Sequence, residues 1–221
     1  MAIETSKENV TSILGVPTWT LVLIEKILEI TGKKSILEVW PNFEFLVHGA
    51  VAFGPYREMF QKLVFPSSEV RFLEIYNASE GFFAIQDDLS LPDEMLLMLD
   101  YGIFYEFIPM GLLGEELDKV VSLEQVELGV NYAVLITTNS GLWRYKIGDT
   151  VKFTSILPYR IKISGRTKHF INAFGEELII ENAEKAISVA CIQTNSEIKD
   201  YTAAPAYMEG GKKGSHEWVV E

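Results

Sequence analysis

The sequence predicts an α/β fold in three stages: a largely parallel sheet with flanking helices over roughly the first eighty residues, a mainly β section, and the start of a small α+β unit. Three observations predict it. In the first stage, helical apolar spacing alternates with short apolar runs. After Gly81 the apolar runs follow one another with no helical spacing between them. After Gly165-Arg166 a helical pattern returns, flanked by two further strand-like runs.

The first helix opens at Pro17, whose fixed φ suits a first helical position, and stops at Gly32. Leu23, Ile24, Ile27 and Leu28 make its apolar face and Glu25, Lys26 and Glu29 the other. Ser35 to Trp40 reads as a short buried strand and Val47 to Phe53 as another. Gly54-Pro55 then opens a second helix to about Leu63, and Val70 to Tyr76 is a third strand, a βαβ sequence that implies parallel pairing. In the middle section strands are expected at Phe82 to Gln86, Ile103 to Pro109, Tyr132 to Thr138, Leu142 to Tyr145, Val151 to Thr154 and Tyr159 to Ser164. A helix from about Ile179 to Ala190 and strands at Tyr201 to Met208 and Glu217 to Glu221 belong to the last unit, with Glu209 to Ser215 as a hairpin connection. The domain division expected is 1–164 and 165–221, the second part incomplete because the sequence ends inside a strand.

Nineteen basic and thirty-one acidic side chains give a net charge of −12, which repels polyphosphate at long range and argues against nucleic acid as a partner. A nucleotide bound here has to be held by local geometry. The 48% hydrophobic content implies a broad core, yet the longest apolar runs, Leu21 to Ile24 and Met95 to Leu99, are far too short to cross a bilayer. A single cysteine, Cys191, and a polar start without a signal-peptide pattern lead to the expectation of a cytoplasmic protein. There is no GxGxxG, GxSxG, HExxH or paired CxxC, and Gly210-Gly-Lys-Lys lacks the spacing of a Walker loop. His48, His169 and His216 are scattered without ligand spacing, so no transition metal is assigned.

Three segments could carry chemistry. Tyr76-Asn77-Ala78-Ser79-Glu80-Gly81 follows a hydrophobic strand, at the edge where α/β sheets present ligand-binding residues. An aromatic ring for a base, a hydroxyl for phosphate and a carboxylate for Mg²⁺ fall within five residues; the plainer reading is a strand exit with a solvated Glu80. Trp143-Arg-Tyr-Lys-Ile-Gly-Asp149 is an aromatic-basic strand ending in a Gly-Asp turn. The Asp149 carboxylate there could accept both hydroxyls of a ribose or could simply cap its own turn. In Ser164-Gly-Arg-Thr-Lys168, Gly165 could supply a joint and Arg166 or Lys168 a charge for phosphate; surface basic residues beside a turn explain it equally well.

In this order, together with Gly15-Val-Pro-Thr-Trp, Leu37-Glu-Val-Trp-Pro and His48-Gly-Ala, the segments resemble the Gretchen Hagen family of acyl-acid amido synthetases, an auxin-responsive branch of the adenylate-forming enzymes. The resemblance implies part of a large adenylation domain followed by the start of a small carboxyl-terminal domain. It implies an ATP- and Mg²⁺-dependent ligase that condenses a small carboxylic acid with ATP to an acyl-adenylate, which the amine of an amino acid then attacks, displacing AMP. Tyr76 would lie against the adenine, Ser79 near the phosphates, Glu80 on Mg²⁺ and phosphate, Asp149 on the ribose and Arg166 at the joint between domains. Gly49 would stand where backbone approaches the adenine and acyl groups. Two departures accompany the resemblance. The family's serine/threonine- and glycine-rich phosphate loop is absent from this sequence, and Gly175-Glu-Glu177 carries acids where relatives often place a basic residue. A piece lacking that loop is expected to be inactive alone. The competing readings are an acyl-CoA ligase-like enzyme and a non-catalytic nucleotide-binding or assembly module. Phe82, Phe83 and Tyr105 cannot be told from core as acyl-pocket residues.

Overall fold

The computed structural model describes residues 1–50, 53–64, 69–114, 119–167, 170–171, 178–206 and 215–221. After a short helix, α1 (Ala2–Thr5), the chain runs β1 (Ser12–Gly15), α2 (Pro17–Thr31), β2 (Phe45–His48), α3 (Arg57–Val64) and β3 (Arg71–Ala78). These three strands pair in parallel, β1 with β2 and β2 with β3, as two consecutive βαβ units. Helix α2 begins and ends where its sequence dictates, with Pro17 in its first turn and Gly32 in the left-handed conformation that glycine adopts without strain. Its buried face, Leu21, Ile24 and Ile27, packs into one core with Trp40, Phe53, Phe60 and Val70. Each such side chain taken out of water contributes about 1.5–3 kcal/mol before entropy is counted.

Ser35 to Trp40, expected as a strand, is instead a single 3₁₀ turn at Ile36–Glu38. Ser35 Oγ accepts the Leu37 amide at 3.3 Å and the Glu38 carboxylate accepts the Ser35 amide at 3.1 Å, a reciprocal cap that fixes a helical entry. The second expected strand lies earlier than its apolar run suggested, at Phe45–His48. A 3₁₀ turn at Gly54–Tyr56 leads into α3.

From β3 onward the pairing is antiparallel, through β4 (Gly81–Ile85), β5 (Met95–Leu97), β6 (Ile103–Pro109), β7 (Val121–Ser122), β8 (Asn131–Thr138), β9 (Tyr145–Ile156) and β10 (Tyr159–Arg166). All ten strands form one mixed sheet in the order β1-β2-β3-β4-β5-β10-β9-β8-β6-β7, the architecture expected. The antiparallel portion folds around a second core in which Tyr76 and Phe83 meet Met95, Tyr105, Phe107, Tyr132, Val151 and Phe153. The two expected strands at Leu142 to Tyr145 and Val151 to Thr154 resolve differently. Leu142 to Arg144 lie outside any strand, with Arg144 at φ 44°, and one continuous strand follows from Tyr145.

Beyond Arg166 lie β11 (Phe170–Ile171) paired with β12 (Leu178–Ile179), α4 (Ile180–Thr194), and β13 (Tyr201–Ala206) paired with β14 (Ser215–Val220). Gly175 to Glu177, Lys168, His169 and most of the expected 209–215 connection fall outside the described residues. Helix α4 packs against the Gly54–Tyr56 turn, Tyr56 Oη donates to the Lys199 carbonyl at 3.5 Å, and Lys62 pairs with Glu197. No helix among the described residues is long and apolar enough to cross a membrane.

At Gly49 a close backbone approach demands glycine. A Cβ on Gly49, just past β2, would lie 2.5 Å from the Ile75 carbonyl oxygen of β3, closer than real contacts allow. Gly49→Ala is expected to cost roughly 1–3 kcal/mol in urea unfolding. Gly111→Ala, where an added Cβ meets nothing within 4 Å, serves as the near-neutral control.

Candidate nucleotide site

Asp149 was expected in a turn; it lies inside β9, in a bulge. Between the pairs Leu135–Lys146 and Ala133–Thr150, residues 147–149 of β9 stand opposite Val134 alone, and Gly148 takes φ 91° to make the excursion. On the other edge of β9, Arg166 is the register partner of Asp149, brought there by a second irregularity around Ser164. The pairing sets guanidinium beside carboxylate: Arg166 Nε donates to Asp149 Oδ1 at 2.9 Å. The hydrogen bond to Asp149 and its charge raise the pKa of Arg166 further, with Tyr76 and Glu80 adding smaller contributions.

Tyr76 reaches the same carboxylate from across the second core, its Oη donating to Asp149 Oδ2 at 2.9 Å. The residue is 4% exposed and its ring packs on Phe83 with centroids 4.8 Å apart. Burial first, and then the neighbouring carboxylate, push the phenol far above its ordinary range, so it remains a donor. Ser79 and Glu80 are the two-residue link of the β3–β4 hairpin, closed by the Ala78–Gly81 pair; Ser79 is exposed and Glu80 half-buried. A Cβ on Gly81 would approach Ile103 Cδ1 to 3.0 Å, so the hairpin lies close against β6. The candidate residues therefore converge: Tyr76, Asp149 and Arg166 are hydrogen-bonded together, Glu80 contributes to the field at Arg166, and Gly49 lies against the residue before Tyr76.

A second polar group was not foreseen. His48 and Glu74 are register partners on β2 and β3, and Gln86 Oε1 accepts the Glu74 amide at 3.1 Å. His48 is 2% exposed, stacked on Phe53 at 4.0 Å, and its Nδ1 has no hydrogen-bond partner among the described residues. Burial, with the Arg57 charge adding to it, lowers its pKa from 6.5 to about 4. Glu74 is raised from 4.5 to about 7, by burial first and then by Asp93, with Arg57 opposing and Glu184 of α4 adding. The one available signal was parity: Phe72, Glu74 and Tyr76 alternate along β3, so a carboxylate between two inward aromatics is itself inward.

With this geometry in view, the family is decided by sequence. Residues 2–70 match the GH3 family N-terminal domain and residues 96–166 the GH3 family central domain, between them well over half of the chain. The chain belongs to the GH3 family. It is 28% identical over 207 residues to the 4-substituted benzoates-glutamate ligase GH3.12 of Arabidopsis thaliana, covering 89% of this chain and 35% of that protein. It is 33% identical over 129 residues to the indole-3-acetic acid-amido synthetase GH3.4 of the same plant, covering 54% and 21%. Among solved structures, GH3.15 acyl acid amido synthetase superposes with a TM-score of 0.65 at 18% identity over 90% of this chain and 36% of the other. A 2-hydroxyisobutyryl-CoA ligase carrying an acyl-AMP superposes equally well, at 12% identity over 91% and 41%, so the fold is that of the adenylate-forming enzymes. The chain spans between about a fifth and a third of the length of these curated relatives.

The buried pair gives a signed pH prediction. Folding raises the Glu74 pKa from 4.5 to about 7, so its contribution to stability falls as pH rises through that window. His48 acts oppositely, its contribution falling as pH drops from 6.5 towards 4. Relative to the unsubstituted chain, Glu74→Gln should therefore gain stability between about pH 5 and pH 8, by up to ~3 kcal/mol. Urea unfolding at both pH values checks this, and a difference that does not change with pH refutes a buried, uncompensated Glu74.

Proposed function

We propose that this GH3 chain forms the nucleotide-handling part of a ligase that activates a small carboxylic acid with ATP and passes the acyl group to an amine, that of an amino acid. The observation that carries the reading is the Asp149 carboxylate, held by Tyr76 and Arg166 beside the Ser79–Glu80 hairpin within a sequence of this family.

Asp149 accepts the ribose hydroxyls, as an ionised carboxylate with two acceptor oxygens can. Ser79, exposed at the hairpin tip, donates to phosphate oxygens. Arg166, whose side chain is 59% exposed, supplies positive charge at the nucleotide and marks the joint between a larger unit ending near residue 164 and a smaller one from 165. The main sheet runs through Arg166, two residues past that division, and the described elements beyond it are two separate two-stranded ribbons and α4. Gly49 keeps the end of β2 tight against β3, where backbone borders the nucleotide and acyl groups.

Among the described residues no group of three or more His, Cys, Asp or Glu side chains could cage a metal ion. Mg²⁺ is commonly held by one or two carboxylates together with substrate phosphates, and in this reading Glu80, half-buried on the hairpin near Arg166, would hold it. When bound, Mg²⁺ neutralises charge accumulating on the phosphates. The acid's carboxylate oxygen attacks the α-phosphorus and the bond to the β-phosphate breaks, releasing pyrophosphate. The amine then attacks the acyl carbon, loses a proton and expels AMP. Fixed donors around the developing charge are what the site contributes to the rate.

The equal structural likeness to a CoA ligase leaves a thiol as the alternative acceptor. ATP–pyrophosphate exchange in the full gene product, with Mg²⁺ and a panel of carboxylic acids, tests the first step. Acid-dependent exchange is expected, falling at least about tenfold in Glu80→Ala and in Asp149→Ala, the loss of one charge-assisted contact. AMP formation stimulated by amino acids rather than by CoA then fixes the acceptor. Nucleotide binding without exchange would instead favour a binding module.

A further inference from the structure

Asp149 has roughly four lone-pair positions on its two oxygens, and the structure fills one on each: Tyr76 Oη on Oδ2 and Arg166 Nε on Oδ1. Among the described residues one acceptor position per oxygen remains, the number that the two hydroxyls of a ribose require. The two existing donors differ in kind. Arg166 is largely exposed on a flexible stem. Tyr76 is buried, its ring wedged on Phe83, and its hydroxyl has no freedom to follow a wandering carboxylate. Tyr76 offers little open ring face for stacking a base, so its contribution to the site runs through its oxygen.

Resting on the nucleotide reading above, we propose that Tyr76 is a positioning residue which, through its hydroxyl, fixes the plane of the Asp149 carboxylate and thereby sets discrimination for an intact ribose diol. Without that hydrogen bond the carboxylate turns with Arg166, and its free positions no longer face both hydroxyls together.

Binding of AMP, 2′-deoxy-AMP and 3′-deoxy-AMP by calorimetry, in the full gene product and in its Tyr76→Phe variant, tests this. The unsubstituted protein is expected to prefer AMP over both deoxy forms. In Tyr76→Phe, AMP affinity should fall about three- to tenfold while the deoxy forms change less than twofold, so the preference narrows. Phe83→Leu, which disturbs the same packing without removing the hydroxyl, should keep the preference. In an Asp149→Asn background, Tyr76→Phe should have no further effect on it. Equal weakening of all three nucleotides by Tyr76→Phe overturns the proposal, since packing alone then explains the residue. A Tyr76→Phe protein that no longer melts cooperatively also overturns it, because the hydroxyl then serves the fold. Absence of any nucleotide binding by the unsubstituted protein removes the nucleotide reading and this proposal with it.

Discussion

Strand β3 is paired on both edges with opposite polarity, parallel to β2 on one side and antiparallel to β4 on the other, and its register is the constraint on which the rest depends. The parallel side requires Gly49, because only a residue without Cβ lets the chain leaving β2 pass the Ile75 carbonyl. The antiparallel side turns at Ser79–Glu80 and carries the chain into the second core. A slip of one residue would exchange the faces of β3, taking Tyr76 away from Asp149 and turning Glu74 towards the opposite side of the sheet. The two cores and the polar cluster are thus registered by one strand.

The candidate site is built from two irregularities that meet. The bulge in β9 and the shift around Ser164 in β10 are each a local weakness in the ladder, yet together they set Arg166 opposite Asp149. A regular pair of strands would place successive side chains on alternate faces and leave the Asp149 carboxylate on a fixed pleat. The bulge aims it towards Tyr76 instead, across the interior from a strand that is not its neighbour. The candidate site is a departure from ladder regularity, set beside the aromatic packing of Tyr76 with Phe83 and of Phe107 with Phe153.

What was legible in the sequence followed from local chemistry. Pro17 and Gly32 bracket α2, the βαβ alternation announces parallel pairing, and Ile103 to Pro109 is a strand at the residues expected. The apolar run of Ser35 to Trp40 points to a strand, whereas the structure uses Ser35 and Glu38, three residues apart, as a reciprocal cap. Met95–Leu97 was legible only as an apolar run, since three residues of strand have too few alternations to declare a period. The residue types of the candidate site were readable as a set, and their order along the sequence carried the resemblance. That Asp149 stands in a bulge was not readable, because a Gly-Asp step in a turn and in a bulge have the same local requirements. Nor was the His48–Glu74 pair, which depends on β2 lying beside β3 and on Phe53 stacking over His48.

The chain carries a net charge of −12, so a phosphate-bearing ligand gains nothing from the long-range field and everything from local arrangement. The two contacts to Asp149 divide that task. The Arg166 contact lies at a side chain 59% exposed, where solvent screening leaves an ion pair on the order of 0–1 kcal/mol; it is easily exchanged. The Tyr76 contact is made in the core, where breaking it would leave a buried phenol without its acceptor and so costs more. The carboxylate is accordingly held more firmly from the core side, by Tyr76, than from the exposed side, by Arg166. If both contacts were exposed, nothing in the core would fix the plane of the carboxylate.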